Sequence, residues 1–208
     1  MILAAIGAIR GNVKALRKTL EILDDEGIQT LVNTGDSVVG GAHPGEVIDT
    51  LVKRQIPSVQ GGSDKQAVRY FRKRKSLQKR VSPEHFEALA KAYEALKSSH
   101  LEYLIGLPTK LSLTLDGVPI ALCHGSLAGH TDVLEKDTDE TLFQRQREIN
   151  PAAIILSGGA AEAFSREVDG TLFVSPGVIG APSGQATYAV ISTEEEPWSV
   201  DLRSLDYE

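Results

Sequence analysis

The stretch ILAAIGAIRGNVKALRKTLEILDDEGIQTLVNTGD, residues 2–36, decides the architecture. ILAAIGA (2–8) is a short continuous apolar run, the pattern of a strand buried on both faces. Val13, Leu16, Leu20 and Leu23 then recur at helical spacing until Gly27 stops the helix, and TLVNTGD (30–36) is a second strand. A strand, a helix of that length and another strand close as a parallel pair with a right-handed crossover. The pattern repeats once more: Pro44 suits the first turn of a helix through EVIDTLVKR, and IPSVQ (56–60) reads as a third strand ending at Gly61 and Gly62. Ligands in such a sheet gather at the carboxyl ends of the strands, so the loops after residues 8, 36 and 60 are where chemistry is expected.

Downstream the period changes. From about 65 to 105 the sequence is wholly helical, with Ser82-Pro83 as cap and first turn and Phe86, Leu89, Ala90, Tyr93 and Leu96 along one apolar stripe that suits packing. KLSLTLDGVPIALCHG alternates about a turn at Asp116-Gly117, the signature of a hairpin. A helix near 139–148 precedes AAIILSGG (152–159), REVDGTLFV (166–174, turning at Asp169-Gly170) and ATYAVIST (186–193), and the tail from Trp198 reads as an edge strand with an exposed end. Parallel strands, a helical insertion and then hairpins describe an α/β protein with packed sheets and helices outside.

The chain has 208 residues, 41% of them hydrophobic, enough for a sizeable core. Cys123 is its single cysteine, which excludes an intramolecular disulfide. No apolar run reaches the roughly 20 residues of a membrane span, and the start MILAAIGAIRGN lacks the cationic lead of a secretory signal. A cytoplasmic setting without membrane contact is therefore expected. The net charge of −6 argues against a wholly nucleic-acid-binding surface, yet RYFRKRKSLQKR (69–80) carries Arg69, Arg72, Lys73, Arg74, Lys75, Lys79 and Arg80 and no acid. That segment is either a solvated helix face or a patch for an acidic protein or nucleic acid; Tyr70 and Phe71 alone are too few for a base-stacking platform.

The loops line up with one family. IGAIRGN (6–12), TGDSV (34–38), GGSD (61–64), CHGS (123–126) and SGGAA (157–161), followed by SPGVIG (175–180), resemble in order and spacing the calcineurin-like metallophosphoesterases across nearly the whole chain. The family patterns are D-x-H-G-N, G-D, G-N-H-D, H-G, G-H-x-H and N-P-G-S. The resemblance implies a layered α-β-β-α sandwich, a single domain over 1–208 with a helical insertion at about 65–105, and a site in which two divalent metals activate water against a phosphate ester.

Carried over position by position, most of that site is absent. The first-loop aspartate is Ala8 and its histidine Arg10; the third-loop asparagine is Gly62 and its histidine Ser63; the final histidine pair is Gly159 and Ala161. Asp36 stands at the bridging position and His124 at a ligand position of the second metal, while Gly11, Asn12, Gly35 and Asp64 match as scaffold. Two protein ligands hold a hard divalent cation poorly. The expected cofactor is accordingly none, or at most one weakly held divalent metal such as manganese on Asp36 and His124, and the small replacements should leave a concavity.

Several functions follow from this reading. Arg10 replaces the metal charge by pairing with Asp36, or else Arg10 faces solvent and Asp36 takes backbone N–H bonds in a turn. Arg10 with the N–H groups of Gly11 and Asn12 captures phosphate, sulfate or a nucleotide, making a non-catalytic binding or regulatory protein. The alternatives are a weak single-metal phosphoesterase using Asp36 and His124, with Asp64 as a third vestigial metal-site position and Ser63 in the place of the imidazole, and an interaction module built on 69–80. Ser126 beside His124 lacks a G-x-S-x-G context and is no nucleophile. His43 is placed near the pocket edge; His85, His100 and His130 are read as surface or helix-end residues. A homo-oligomer contact at the tail is left open.

Overall fold

The computed structural model describes residues 1–195 and 197–207. Two sheets pack face to face. The first has the order β2-β1-β8-β9, with β1 Ile2–Ile6, β2 Leu31–Asn33, β8 Gln185–Ser192 and β9 Ser199–Asp206. The second has the order β3-β4-β5-β7-β6, with β3 Lys110–Leu115, β4 Val118–His124, β5 Ile154–Gly158, β6 Phe164–Val168 and β7 Thr171–Ser175. Leu3, Ala5, Val32 and Ile191 of one sheet meet Ile120, Leu122, Leu156 and Val174 of the other in a fully buried layer. Helices α1 (Val13–Asp25) and α2 (Pro44–Lys53) cover the outer face of the first sheet, and α6 (Glu140–Ile149) that of the second through Phe143. This is the mixed α/β sandwich that the periodicity implies. Among the described residues no helix is long and apolar enough to cross a membrane.

The parallel unit at the amino terminus forms as expected: β1 and β2 pair parallel, with Ala5 opposite Val32. The third strand does not. Residues 56–60 contribute only a parallel bridge between Asn33 and Ser58. Pro57 has no N–H to extend a ladder, and the chain turns at once into α3 (Gly62–Gln78). Both hairpins turn where expected, Asp116-Gly117 at φ 49° and 81° and Asp169-Gly170 at φ 46° and 77°, the paired positive values of a type I′ turn.

Helices α3, α4 (Pro83–Ala95) and α5 (Ser98–Gly106) fill the segment between the two sheets' strands. Leu89 and Ala92 of α4 and Leu96 at its C-cap pack with Ala67 and Tyr70 of α3 and Leu104 of α5, against Val38 and Val39 of the β2–α2 loop. The tail forms the expected edge strand, β9 pairing with β8 over its full length. Tyr207, the last described residue, is buried, and its hydroxyl donates to the Ala181 carbonyl.

Candidate functional site

The site forms where the loops after β1, β2 and β4 meet the first turn of α3. Backbone bonds zip the first two loops together. Ala8 N–H donates to Gly35 O (2.8 Å), Arg10 N–H to Asp36 O (3.0 Å) and Gly11 N–H to Ser37 O (2.7 Å). The registration forces Ala8, Arg10 and Asp36 to positive φ, at 46°, 54° and 57°, a conformation that costs L residues roughly 1–2 kcal/mol each.

Asp36 is held from two sides. Its Oδ1 accepts the N–H of Ser63 in the first turn of α3 at 2.8 Å, where the helix dipole also favours a carboxylate. Its Oδ2 lies 3.5 Å from His124 Nε2. His124, at the end of β4, is buried and donates from Nδ1 to the Thr34 carbonyl at 2.9 Å, which fixes the ring and turns Nε2 toward Asp36. Gly61 makes the approach possible, since a Cβ there would overlap the Asp36 backbone nitrogen and Oδ1.

Asp64 belongs to the loop scaffold. It is fully buried, and its Oδ1 accepts from Ser37 N–H (2.8 Å) and Val38 N–H (3.2 Å) while Oδ2 accepts from Gly61 N–H (3.0 Å). Burial first, and then the nearby Asp36 charge, push its carboxyl up to about 6 against the lowering by those N–H bonds and His124.

A cavity of about 630 Å³ opens beside Asp36, lined by Arg10, Asn12, Asp36, Ser63, His85 and Tyr207 together with the 180–182 segment. Arg10 forms part of its wall, its stem lying against Gly40 and Gly180. Of the two expectations for Asp36, the Arg10 pair is not made, since no Arg10 nitrogen lies within 4.0 Å of a carboxylate of the described residues, whereas the backbone N–H bond is, from Ser63, with His124 as the other neighbour. Nor do the backbone N–H groups of Gly11 and Asn12 offer free donors. Both N–H groups are already bonded, to Ser37 O and Ile9 O, and the Asn12 side chain caps α1 by accepting from Ala15 N–H. Of the three anion-binding candidates, Arg10 keeps its guanidinium donors and Asn12 its side-chain Nδ2, and both line the cavity.

A model of the calcineurin-like phosphoesterase superfamily domain matches residues 1–196. The chain belongs to that superfamily. A curated relative, an uncharacterized protein from Methanocaldococcus jannaschii, is 22% identical over 99% of this chain and 88% of its own. The fold matches a hypothetical protein from Pyrococcus horikoshii OT3 at TM-score 0.84 and 24% identity, covering 100% of this chain and 88% of that one. A metallophosphoesterase from Sphaerobacter thermophilus matches at TM-score 0.76 and 20% identity, over 100% of this chain and 90% of that one.

On this calcineurin-like scaffold the remaining motif positions spread apart. Ser63 lines the cavity, but its Oγ is buried without a hydrogen-bond partner among the described residues. Gly159 and Ala161 are exposed and do not line the cavity, and Val133 of the β4–α6 loop sits against Gly159. The concavity expected over all the small replacements is thus confined to the Arg10 side. Ser126 bonds within its own turn, accepting from Ala128 and Gly129 N–H at 3.1 Å. Cys123 is buried, which pushes its thiol up to about 12 and leaves it unreactive.

His85 and His100 are helix-end residues, in the first turns of α4 and α5, and His130 follows β4 in a loop, but none of the three is simply exposed. His130, from the β4–α6 loop, packs over the first turn of α3, where a Cβ on Gly62 would stand 3.7 Å from its ring. Burial lowers its pKa, with Lys65 the next cause. His85 lines the cavity and shares a 2.7 Å bond with Gln66. His100 is buried beside Gly45 and bonds Asp49 at 3.1 Å. His43, by contrast, lies outside the cavity lining and pairs with Glu46 at 3.0 Å. Tertiary packing, which no periodicity encodes, brings the His130 loop and the first turn of α4 to the site; Ala181, Pro182 and Tyr207 were missed for the same reason.

Proposed function

We propose that this calcineurin-like protein binds a nucleotide in the Arg10 cavity without divalent metal and does not hydrolyse phosphate esters. The observation that supports the reading is the engagement of Asp36 by Ser63 N–H and His124, two groups of the protein itself. A bridging carboxylate needs cations to offset its charge; here the helix N-terminus at Ser63 takes part of that role, and His124 adds to it when its Nε2 carries a proton, the Nδ1 proton being given to Thr34 O. The donor set does not fit a dinuclear centre. Ala8, Gly62, Gly159 and Ala161 carry no ligand atom, Arg10 is a cation, and both oxygens of Asp64 are spent on backbone N–H groups. Among the described residues no three His, Cys, Asp or Glu side chains are arranged to hold a metal ion.

The cavity suits a nucleotide better than a bare anion. Its 630 Å³ falls within the range of small-molecule sites. Arg10, the one Lys or Arg among the lining residues, offers a planar fork to a phosphate, and Asp36 is placed to accept from sugar or base donors. Calorimetric titration of nucleoside monophosphates with EDTA present tests this, with binding expected for the native protein and at least a tenfold loss in Arg10→Ala. Absence of heat at millimolar nucleotide overturns the reading. So does hydrolysis of an activated phosphodiester in excess manganese that disappears in Asp36→Asn and His124→Gln, which would instead establish the single-metal enzyme.

A further inference from the structure

We infer that the outward face of α3 binds the phosphate backbone of duplex nucleic acid. Lys65, Arg69, Arg72 and Lys79 recur at spacings of three, four and seven residues, so they stand in one row on the helix and its C-cap. The row spans about 21 Å at 1.5 Å per residue. Lys73 and Arg80 flank it, and Ser76 fills its gap. Residues 69 and 71–75 are exposed, as are 78–80. The opposite face of the helix is committed to packing through Asp64, Ala67 and Tyr70.

These cations have no internal use. Among the described residues none of them lies within 4.0 Å of a carboxylate, whereas Arg17, Arg54, Lys91, Arg147, Arg166 and Arg203 all do. An unneutralised row in a chain of net charge −6 is complementary to a polyanion and unfavourable otherwise. The row contains no apolar side chain, and a protein interface needs an apolar centre. Phosphate contacts need none. Phe71, the exposed aromatic of this helix, stacks on Tyr93 of α4 with ring centroids 6.5 Å apart, away from the row. The row therefore lacks the base-stacking platform that marks single-strand binders, and the closely spaced phosphates of a duplex suit it better. The surface is independent of the Arg10 cavity.

Fluorescence anisotropy of the full chain with a labelled 20-base-pair DNA duplex tests the inference. With four cations neutralising phosphates, affinity should fall roughly 100-fold between 50 and 200 mM salt. Arg69→Glu/Arg72→Glu/Lys79→Glu should lose at least tenfold at 50 mM, and Arg69→Gln/Arg72→Gln/Lys79→Gln should show the same direction if charge reversal impairs folding. Arg10→Ala and Arg145→Glu, on α6, should bind like the native protein. No anisotropy change at 20 mM salt overturns the inference. Binding unaltered in both triple variants does so too, as does a single strand that binds as tightly as the duplex. Displacement by polyglutamate at equal charge would assign the face to acidic proteins and overturn it as well.

Discussion

His124 Nε2 stands 3.5 Å from Asp36 Oδ2, so the two side chains that the sequence resemblance marks as candidate metal ligands contact each other. Each is fixed from behind, His124 by the Thr34 carbonyl and Asp36 by the first turn of α3. In a pocket this buried the contact couples the two residues energetically. A double-mutant cycle with Asp36→Asn and His124→Gln should give a coupling of about 1 kcal/mol in urea unfolding. Strict additivity would show that the contact carries no energy.

Removing the Asp36 carboxylate outright leaves Ser63 N–H without a partner and His124 Nε2 without its neighbour. Asp36→Ala should therefore destabilise by about 1–3 kcal/mol, read as a shift of the urea midpoint. Because Asp36 sits at φ 57°, the Ala variant also keeps the strain of that conformation, whereas Asp36→Gly releases it. The Gly variant should accordingly be the less damaged of the two.

Arg10 makes no side-chain hydrogen bond or ion pair among the described residues. Arg10→Ala should leave stability within about 0.5 kcal/mol of the native protein and its pH dependence unchanged. Arg10→Gly should gain up to about 1 kcal/mol by relieving φ 54°. A large loss in Arg10→Ala would mean that the guanidinium has a structural partner.

Asp64 titrates at about 6 in the fold and near 3.9 in an unfolded chain. Its folded-state value is raised, so the folded protein holds this proton more tightly than the unfolded chain does. The resulting stabilisation is complete below pH 3.9 and is lost as pH rises through 6. The stability difference between native protein and Asp64→Asn should therefore shrink over that interval. Asp64→Asn should be less stable throughout, because an amide NH₂ would face an N–H that Asp64 now accepts. A difference that does not change with pH would refute the assignment.

Gly61→Ala should be the most damaging single methyl addition at the site, since its Cβ would overlap Asp36. A loss on the order of 3 kcal/mol or more is expected, in the range of mutations that overpack a core. Circular dichroism during thermal unfolding would report it.

Much of this molecule was legible without coordinates. Local periodicity is a property of neighbouring residues, so β1, α1, β2, both hairpins and α6 could be read from spacing alone. The third strand failed because Pro57 and the glycines at 61 and 62 gave competing local signals, and the tight entry into α3 prevailed. Which motif positions carry ligand atoms was likewise a matter of residue identity, and Ala8, Gly62 and Ala161 could be named directly.

What the sequence by itself determined is therefore the layered α/β fold, the family and the chemical content of each loop. Only tertiary structure decided what those loops do to one another. The Thr34 carbonyl and His124 ring are 90 residues apart in the chain, and their bond selects Asp36 as the neighbour of His124. The backbone zipper between the first two loops uses the Gly11 N–H that an anion would have needed. Ser63 N–H takes up the Asp36 carboxylate, which the sequence left open to either Arg10 or a backbone donor. Hydrogen-bonding capacity is fixed by residue type, but its allocation is settled only when distant segments compete for the same donors in space.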